Sequence, residues 1–330
     1  MQPPKFWYKP AGLRAKMLGP LSSIYARSTK KRLDEGQPVS LGIPVICVGN
    51  INAGGTGKTP TVIAIVERLK TLGLNPHIVT RGFGGTVIGP MRVSERDDLA
   101  EQVGDEPLLL SAFTTTWVSR DRGKGGLAAE QAGADIVILD DGHQNPGLKK
   151  NVSIVCVDAL RGFGNGRVIP SGPLREPVSE GMSRGDILLS IGPSQSQEQF
   201  KTQWSDEISL PHIQGQLEPM QTGMDWAQER VLAFAGIGNP EKFFQTVRQL
   251  GANVVKTEAL EDHQALTPAI MQRLLADAAN LGAQLVTTEK DASRLPPDLR
   301  HTILTIPVRL ELNDWASLDT LIERCIASDL

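Results

Sequence analysis

The chain has 330 residues, 40% of them hydrophobic and 22% charged, with a formal net charge of −3. That balance excludes a disordered chain, and the length allows two domains. It also argues against a nucleic-acid partner, because the residues after Leu33 carry 26 basic and 37 acidic side chains and would repel a phosphate backbone. Three scattered cysteines, Cys47, Cys156 and Cys325, form neither a disulfide framework nor a zinc motif, and fit a reducing cytosol.

Residues 1–33 hold eight basic side chains and no acidic one. Phe6, Trp7, Tyr8 and Tyr25 are interleaved with them, and Leu13, Met17, Leu21 and Ile24 follow at spacings of four, four and three. Cationic, aromatic and apolar groups together suit an anionic membrane surface. A basic solvated helix packed on the body of the protein is the competing reading. Pro20 predicts two short helical pieces rather than one. No apolar run reaches the ~20 residues needed to span a bilayer, and the segment lacks the features of a secretory signal.

The strand-like run Val45 to Val48 leads into Gly49-Asn50-Ile51-Asn52-Ala53-Gly54-Gly55-Thr56-Gly57-Lys58-Thr59-Pro60. This is the context of a phosphate-binding loop. Glycines let successive N–H groups face a polyphosphate, Lys58 reaches the β/γ-phosphates, and the Thr59 hydroxyl can ligate Mg²⁺. Residues 52–59, Asn52, Ala53, Gly54, Gly55, Thr56, Gly57, Lys58 and Thr59, are therefore the expected nucleotide contacts. The motif departs from the usual pattern in one place, since Asn52 stands where the consensus opens with Gly. Pro60 suits a first helical turn, and Val62, Ile65, Val66 and Leu69 then form one apolar helical stripe.

Further β-branched runs at His77 to Thr80, Ala134 to Asp140, Val152 to Asp158 and Asp186 to Ser190 alternate with helical patterns, the signature of a parallel sheet. Arg81 follows the first of them and could face an anion. Gly104-Asp105-Glu106-Pro107 opens a leucine-rich helix, and reads either as an ordinary helix start or as a carboxylate base. Asp140 and Asp141 stand at the C-terminal end of a buried strand, where parallel sheets bind ligands and where a carboxylate can hold Mg²⁺. Gly172-Pro173-Leu174-Arg175-Glu176-Pro177 is a rigid charged loop able to present Arg175 to phosphate and Glu176 to metal.

The polar stretch Pro193 to Ser209 reads as a connecting region. A second alternation begins at Val231 to Ile237, continues through a helix over Pro240 to Leu250 and strands near Val254 and Leu285, and ends with Thr302 to Leu312 and a last helix after Asp314. Glu261-Asp262-His263-Gln264 lies in a loop of this part. The expected fold is α/β: a P-loop NTPase-like, mostly parallel sheet domain over 34–215, a smaller α/β domain over 216–330, and the basic amphipathic arm over 1–33.

These blocks, together with Thr80-Arg81-Gly82-Phe83-Gly84-Gly85, Asp140-Asp141-Gly142-His143-Gln144-Asn145, Glu261-Asp262-His263-Gln264-Ala265-Leu266 and Thr287-Thr288-Glu289-Lys290-Asp291, occur in an order that resembles the tetraacyldisaccharide 4′-kinase family, the lipid A kinases of Gram-negative bacteria. The resemblance implies an ATP- and Mg²⁺-dependent transfer to the 4′-hydroxyl of an acylated glucosamine disaccharide 1-phosphate lipid. It implies a peripheral protein at the cytoplasmic face of the inner membrane, with no obligate protein partner. It also assigns roles: Asp105 as catalytic carboxylate assisted by His263, Lys58 and Thr59 as phosphate and metal ligands, and Arg175 as a phosphate contact. Asp140, Asp141 and Glu176 become metal-site candidates, and Asn50, Arg81, Glu106 and Gln144 substrate-binding candidates. The family usually reads Asp-Asp-Gly-(Phe or Leu)-Gln-His, whereas His143 and Asn145 occupy those two variable places here.

Two rivals belong to other classes. A membrane-cycling P-loop ATPase switch that recruits a protein partner usually carries a signature lysine where Ala53 stands. A GTPase would need Thr-Lys-x-Asp, which Thr288-Glu289-Lys290-Asp291 does not match.

Overall fold

A computed structural model describes residues 3–262 and 264–327. Its strands are β1 (Val45–Gly49), β2 (Pro76–Thr80), β3 (Met91–Arg92), β4 (Thr116–Val118), β5 (Ile136–Asp140), β6 (Val152–Asp158), β7 (Ile187–Ile191), β8 (His212–Pro219), β9 (Arg230–Ala235), β10 (Asn253–Ala259), β11 (Gln284–Thr288), β12 (Leu304–Ile306) and β13 (Val308–Leu312). One sheet has the order β13-β8-β7-β6-β1-β5-β2-β4-β3 and a second the order β10-β9-β11-β12. From β8 to β4 the large sheet is parallel, and its two edge strands are antiparallel. Every residue of β1, β2, β5, β6 and β7 is buried, which is why these strands read as unbroken apolar runs: helices cover both faces. The central strand β1 pairs Val48 with Asp140 on one side and Gly49 with Val155 on the other. That register places the phosphate loop beside the paired aspartates.

Two expectations are corrected. The polar stretch after Pro193 contains a helix, Ser194–Trp204, whose buried face is Ser196, Gln197, Phe200 and Trp204. Its polar residues hid it, because only this narrow face is covered. Phe163 meets Phe200 and Trp204 edge-on with ring centroids 5.6 and 5.1 Å apart, contacts worth about 0.5–1.5 kcal/mol each beyond their burial. Gln197 Nε2 donates to the carbonyls of Ser190, Gly192 and Gly215. The expected boundary at 215/216 falls inside β8, and the chain then returns. β13 pairs with β8, and Leu318, Ile322 and Cys325 of the helix Ala316–Ala327 join the core under β1, β6 and β7. Arg68 forks onto Asp319 at 3.0 and 2.6 Å to close that contact.

The N-terminal arm forms a short 3-10 turn (Lys5–Tyr8) and helices Leu13–Met17 and Gly19–Asp34. Pro20 sits in the first turn of the second helix, where its missing N–H costs little. Trp7 Nε1 donates to the Pro170 carbonyl (3.0 Å), and Ser22 Oγ to the Val168 carbonyl (2.7 Å). The small polar side of the second helix is thus buried, while Leu13 and Met17 of the first and Ile24 of the second are 76%, 72% and 62% exposed. Among the described residues no helix is long and apolar enough to cross a membrane.

Candidate active site

The phosphate loop is braced from inside. Asn50 is fully buried, and its Nδ2 donates to Thr56 Oγ1 (2.8 Å) and to the Gly54 carbonyl (3.3 Å). Asn52, the departure from the consensus, forms an isolated bridge with Leu174 and donates to the Gly162 carbonyl at 3.0 Å. A glycine there would lose that tie, so this position anchors the loop. Gly57 adopts φ +89° at the N-cap of the helix Lys58–Thr71, and a Cβ on it would lie 2.5 Å from Ile191 Cδ1. Thr61 N already donates to the Gly57 carbonyl and Pro60 has no N–H, which leaves the amides of Lys58 and Thr59 as the helix's free donors for an anion.

Asp140 and Asp141 close the other side. Thr80 Oγ1 donates to Asp140 Oδ2 at 2.9 Å. Burial, then the nearby charges of Glu106 and Asp141, push the Asp140 carboxyl up to about 7. Asp141 takes φ +50°, a left-handed conformation that costs a non-glycine residue about 1–2 kcal/mol. Arg175 holds it with two hydrogen bonds, 2.8 and 3.2 Å, and Lys58 Nζ lies 3.7 Å from its Oδ1. Burial would raise the Asp141 carboxyl, but Lys58 and Arg175 outweigh it and hold the group at about 2. Lys58, Asp140, Asp141 and Arg175 therefore form one charged floor beneath the loop.

Other expected site residues also brace the site. Glu176 is buried, and its two oxygens accept from Gln144 and Arg184. Gln144 Nε2 also donates to the Asn50 carbonyl at 2.7 Å, joining the loop to the Arg175 segment. His143 is buried under β1, where a Cβ on Gly49 would come within 2.5 Å of it, and its Nε2 lies 2.9 Å from the Gly181 carbonyl. Burial pushes its pKa down to about 4, so the ring is neutral near pH 7. Asn145 accepts from the Gly147 amide in a local turn. Arg81 lies exposed on the rim after β2.

Asp105 starts the helix Asp105–Ser111 directly after Gly104, whose backbone packs against Phe83. It is 5% exposed, and its Oδ1 accepts from the Glu106 amide at 2.9 Å. The smaller unit faces it: Arg294 Nε is 3.7 Å from Asp105 Oδ2, and Lys290 Nζ is 3.1 Å from Glu106 Oε1. The same unit reaches the phosphate loop, because a Cβ on Gly238 would lie 3.9 Å from Gly55 N, and Lys242 pairs with Asp158 at 2.6 Å. His263 lies outside the described residues.

Sequence reasoning missed three cations. Arg122 is buried near Asp140 and Asp141, with NH1 on the Ser119 carbonyl, and burial lowers its pKa against their charges. Its only signal was an ordinary helix start. Lys290 lies in the block from Thr287 to Asp291 and Arg294 just beyond it, but nothing in their spacing shows which carboxylates they meet.

These donors bear on where Mg²⁺ could be held. Among the described residues no group of three acidic, histidine or cysteine side chains converges on a point. Asp141 and Glu176 are already engaged with cations, which counts against them as direct ligands. Thr59 and Asp140 remain, and Asp140 sits in a crowded negative field that a cation would relieve. Two protein oxygens fit an ion that keeps its waters and phosphate oxygens.

Comparison with known proteins agrees with this geometry. The family model described as tetraacyldisaccharide-1-P 4′-kinase matches residues 14–327. The tetraacyldisaccharide 4′-kinases of Jannaschia sp. (strain CCS1) and Dinoroseobacter shibae are 57% and 55% identical, covering 99% and 97% of this chain and 99% and 98% of theirs. A crystal structure of Aquifex aeolicus LpxK in complex with ATP superposes with a TM-score of 0.77 at 27% identity, over 94% of this chain and 99% of that one. A family match over residues 14–327, with relatives 57% and 55% identical along nearly the whole chain, establishes that the chain belongs to the tetraacyldisaccharide-1-P 4′-kinase family.

Proposed function

We infer that the protein transfers the γ-phosphoryl group of ATP to the 4′-hydroxyl of a tetraacyl glucosamine disaccharide 1-phosphate. The observation that carries this is the meeting of a braced phosphate loop, Lys58 and the Asp105 helix at the C-terminal edge of one parallel sheet. The Lys58 and Thr59 amides and the Lys58 ammonium offset the phosphate charge at the helix N-terminus. Arg175 keeps Asp141 turned toward Lys58, so that the lysine is held in place before the nucleotide arrives. Asp105 accepts the hydroxyl proton. A carboxylate is a weak base for an alcohol, but a loose phosphoryl transition state asks for little proton removal until late, so positioning outweighs basicity. Mg²⁺, held by Thr59 and Asp140, would offset charge between the phosphates when bound.

The exposed apolar residues of the two N-terminal helices, flanked by lysines and arginines, support docking on an anionic leaflet, which fits the cytoplasmic face of the inner membrane. The substrate's acyl chains keep it there. Because Ala15 of the first helix and Ser22 and Thr29 of the second are buried, Leu13→Asp with Met17→Asp and Ile24→Asp is a cleaner test than deletion. These changes are expected to reduce flotation with anionic vesicles and lipid phosphorylation together. Unchanged flotation would refute the docking role.

The kinase reading is tested with γ-labelled ATP and a disaccharide 1-phosphate lipid. Label is expected in the lipid with the native chain, and little with Asp105→Ala, which should still bind ATP. ATP hydrolysis without labelled lipid would favour a nucleotide switch instead, a reading that Ala53 in place of the signature lysine already disfavours.

A further inference from the structure

We propose that Lys290 and Arg294, carried on and just after one helical turn of the smaller unit, are positioning residues that hold Asp105 and Glu106 in their working orientation from across the cleft. This rests on the reading of Asp105 as proton acceptor.

The turn Glu289–Ala292 is capped by Thr288, whose Oγ1 accepts from the Asp291 amide at 3.1 Å and donates to Asp291 Oδ2 at 2.7 Å. Lys290 lies in the turn, Ser293 is its C-cap, and Arg294 follows with its amide donating to the Asp291 carbonyl at 3.1 Å, so the three keep the i, i+3 and i+4 spacing of one face. All three meet the same two residues of the other unit. Lys290 Nζ is 3.1 Å from Glu106 Oε1, Arg294 Nε lies 3.7 Å from Asp105 Oδ2, and Ser293 Oγ, which donates to the Lys290 carbonyl at 2.8 Å, lies 3.4 Å from the Asp105 carbonyl.

The turn is fixed before it makes these contacts. Arg309 of β13 holds Glu289 at 2.8 Å. Arg294 pairs with the fully buried Asp291 and donates to the Gln264 carbonyl (2.8 Å) and the Gly236 carbonyl (3.2 Å). Asp291 in turn accepts from the Gly236 amide at 3.1 Å. A guanidinium so constrained presents Nε to Asp105 in one orientation, and that Nε is buried with no hydrogen-bond partner among the described residues. Burial opposes the charge on Lys290, but Glu106 and Asp105 outweigh it and raise its pKa. Other ion pairs already tie the two units together, notably Lys242 with Asp158. The pairs at Asp105 and Glu106 are therefore not needed merely to hold the units in contact, and their place beside the reacting edge gives them a different effect. They set a cation against each of the two carboxylates, and make the alignment of Asp105 depend on the seated turn.

The test uses the full chain with Lys290→Met, Arg294→Gln and Arg294→Lys, each alone and the glutamine variant also combined with Asp105→Asn. Turnover and the KM for ATP are measured with labelled ATP and lipid. Lys290→Met and Arg294→Gln are expected to lower kcat by about 10- to 100-fold, with the KM for ATP within about threefold of native. Arg294→Lys should recover part of the loss. In the Asp105→Asn background, Arg294→Gln should cause no further loss, because it acts through that carboxylate. Lys290 stands outside the Asp291–Gly236 clamp, so Lys290→Met keeps the test decisive if Arg294→Gln does not fold. Native turnover in both Lys290→Met and Arg294→Gln, or an undiminished extra loss in the Asp105→Asn background, would overturn the positioning role. Full activity of Asp105→Asn itself would remove the proton acceptor and both readings with it.

Discussion

Asp140→Asn is expected to stabilise the nucleotide-free, metal-free protein while disabling it. Asp140 is 2% exposed, and burial with the charges of Glu106 and Asp141 carries its carboxyl from 3.8 to about 7. The unfolded chain therefore releases this proton near pH 4, and the folded protein near pH 7. Between those values the folded state binds more protons, so stability falls as pH rises from about 4 to about 7. The full displacement corresponds to about 4 kcal/mol at pH 8. Asparagine has nearly the same shape, keeps an oxygen for the Thr80 hydroxyl and carries no charge. Urea unfolding with chelator present should show the variant more stable than the native chain at pH 8, by up to about 4 kcal/mol, and nearly equal to it at pH 4. Asp141 has the opposite sign, since its pKa is held at about 2: its stabilisation is lost as pH falls from about 4 to 2, outside the window tested. Kinase turnover should fall steeply in the same variant, the usual conflict between stability and a charged site. A stability difference that is absent at pH 8, or equal at pH 4 and pH 8, would refute the reasoning, because packing rather than ionisation would then be responsible.

Gly57→Ala places a Cβ 2.5 Å from Ile191 Cδ1 on a residue with φ +89°. A loss of about 1–3 kcal/mol and a weaker KM for ATP are expected; an unchanged melting temperature and KM would contradict the loop geometry. His143→Phe restores the residue type seen in the resembling family, and because the native ring is already neutral above pH 5, the pH profile of turnover between 6 and 8 should not move. A shifted profile would give the imidazole a titrating role. Lys242→Ala breaks the 2.6 Å pair with Asp158, which still accepts from the amides of Leu160 and Arg161. It should cost about 1–2 kcal/mol and raise hydrogen exchange in the helix Pro240–Gln249; native-like protection there would exclude the pair as a tie between the units.

Legibility differed by kind of feature. Buried parallel strands are continuous apolar runs, and the phosphate loop is contiguous, so β1, β5, β6 and the stretch from Asn52 to Thr59 could be read directly. The helix Ser194–Trp204 could not, because a helix that buries only four of its residues has the composition of a linker. That Asn50, Gln144 and Glu176 also brace the loop was hidden for the opposite reason. A polar side chain in a motif has the same letter whether it faces substrate or braces the loop, and only burial and partners separate the two.

The amino-acid sequence by itself determined the alternation of strands and helices, the phosphate loop and its lysine, and the delivery of Asp140 and Asp141 at a strand end, because each depends on residues close together in the chain. Tertiary structure alone decided that β13 returns to the first sheet, that Asp141 is taken by Arg175 and Lys58, and that Lys290 and Arg294 reach Glu106 and Asp105. Those contacts join residues 34 to almost 190 positions apart. Local pattern carries no record of such distances, since the strand order that brings the residues together is set by how two sheets bury their faces.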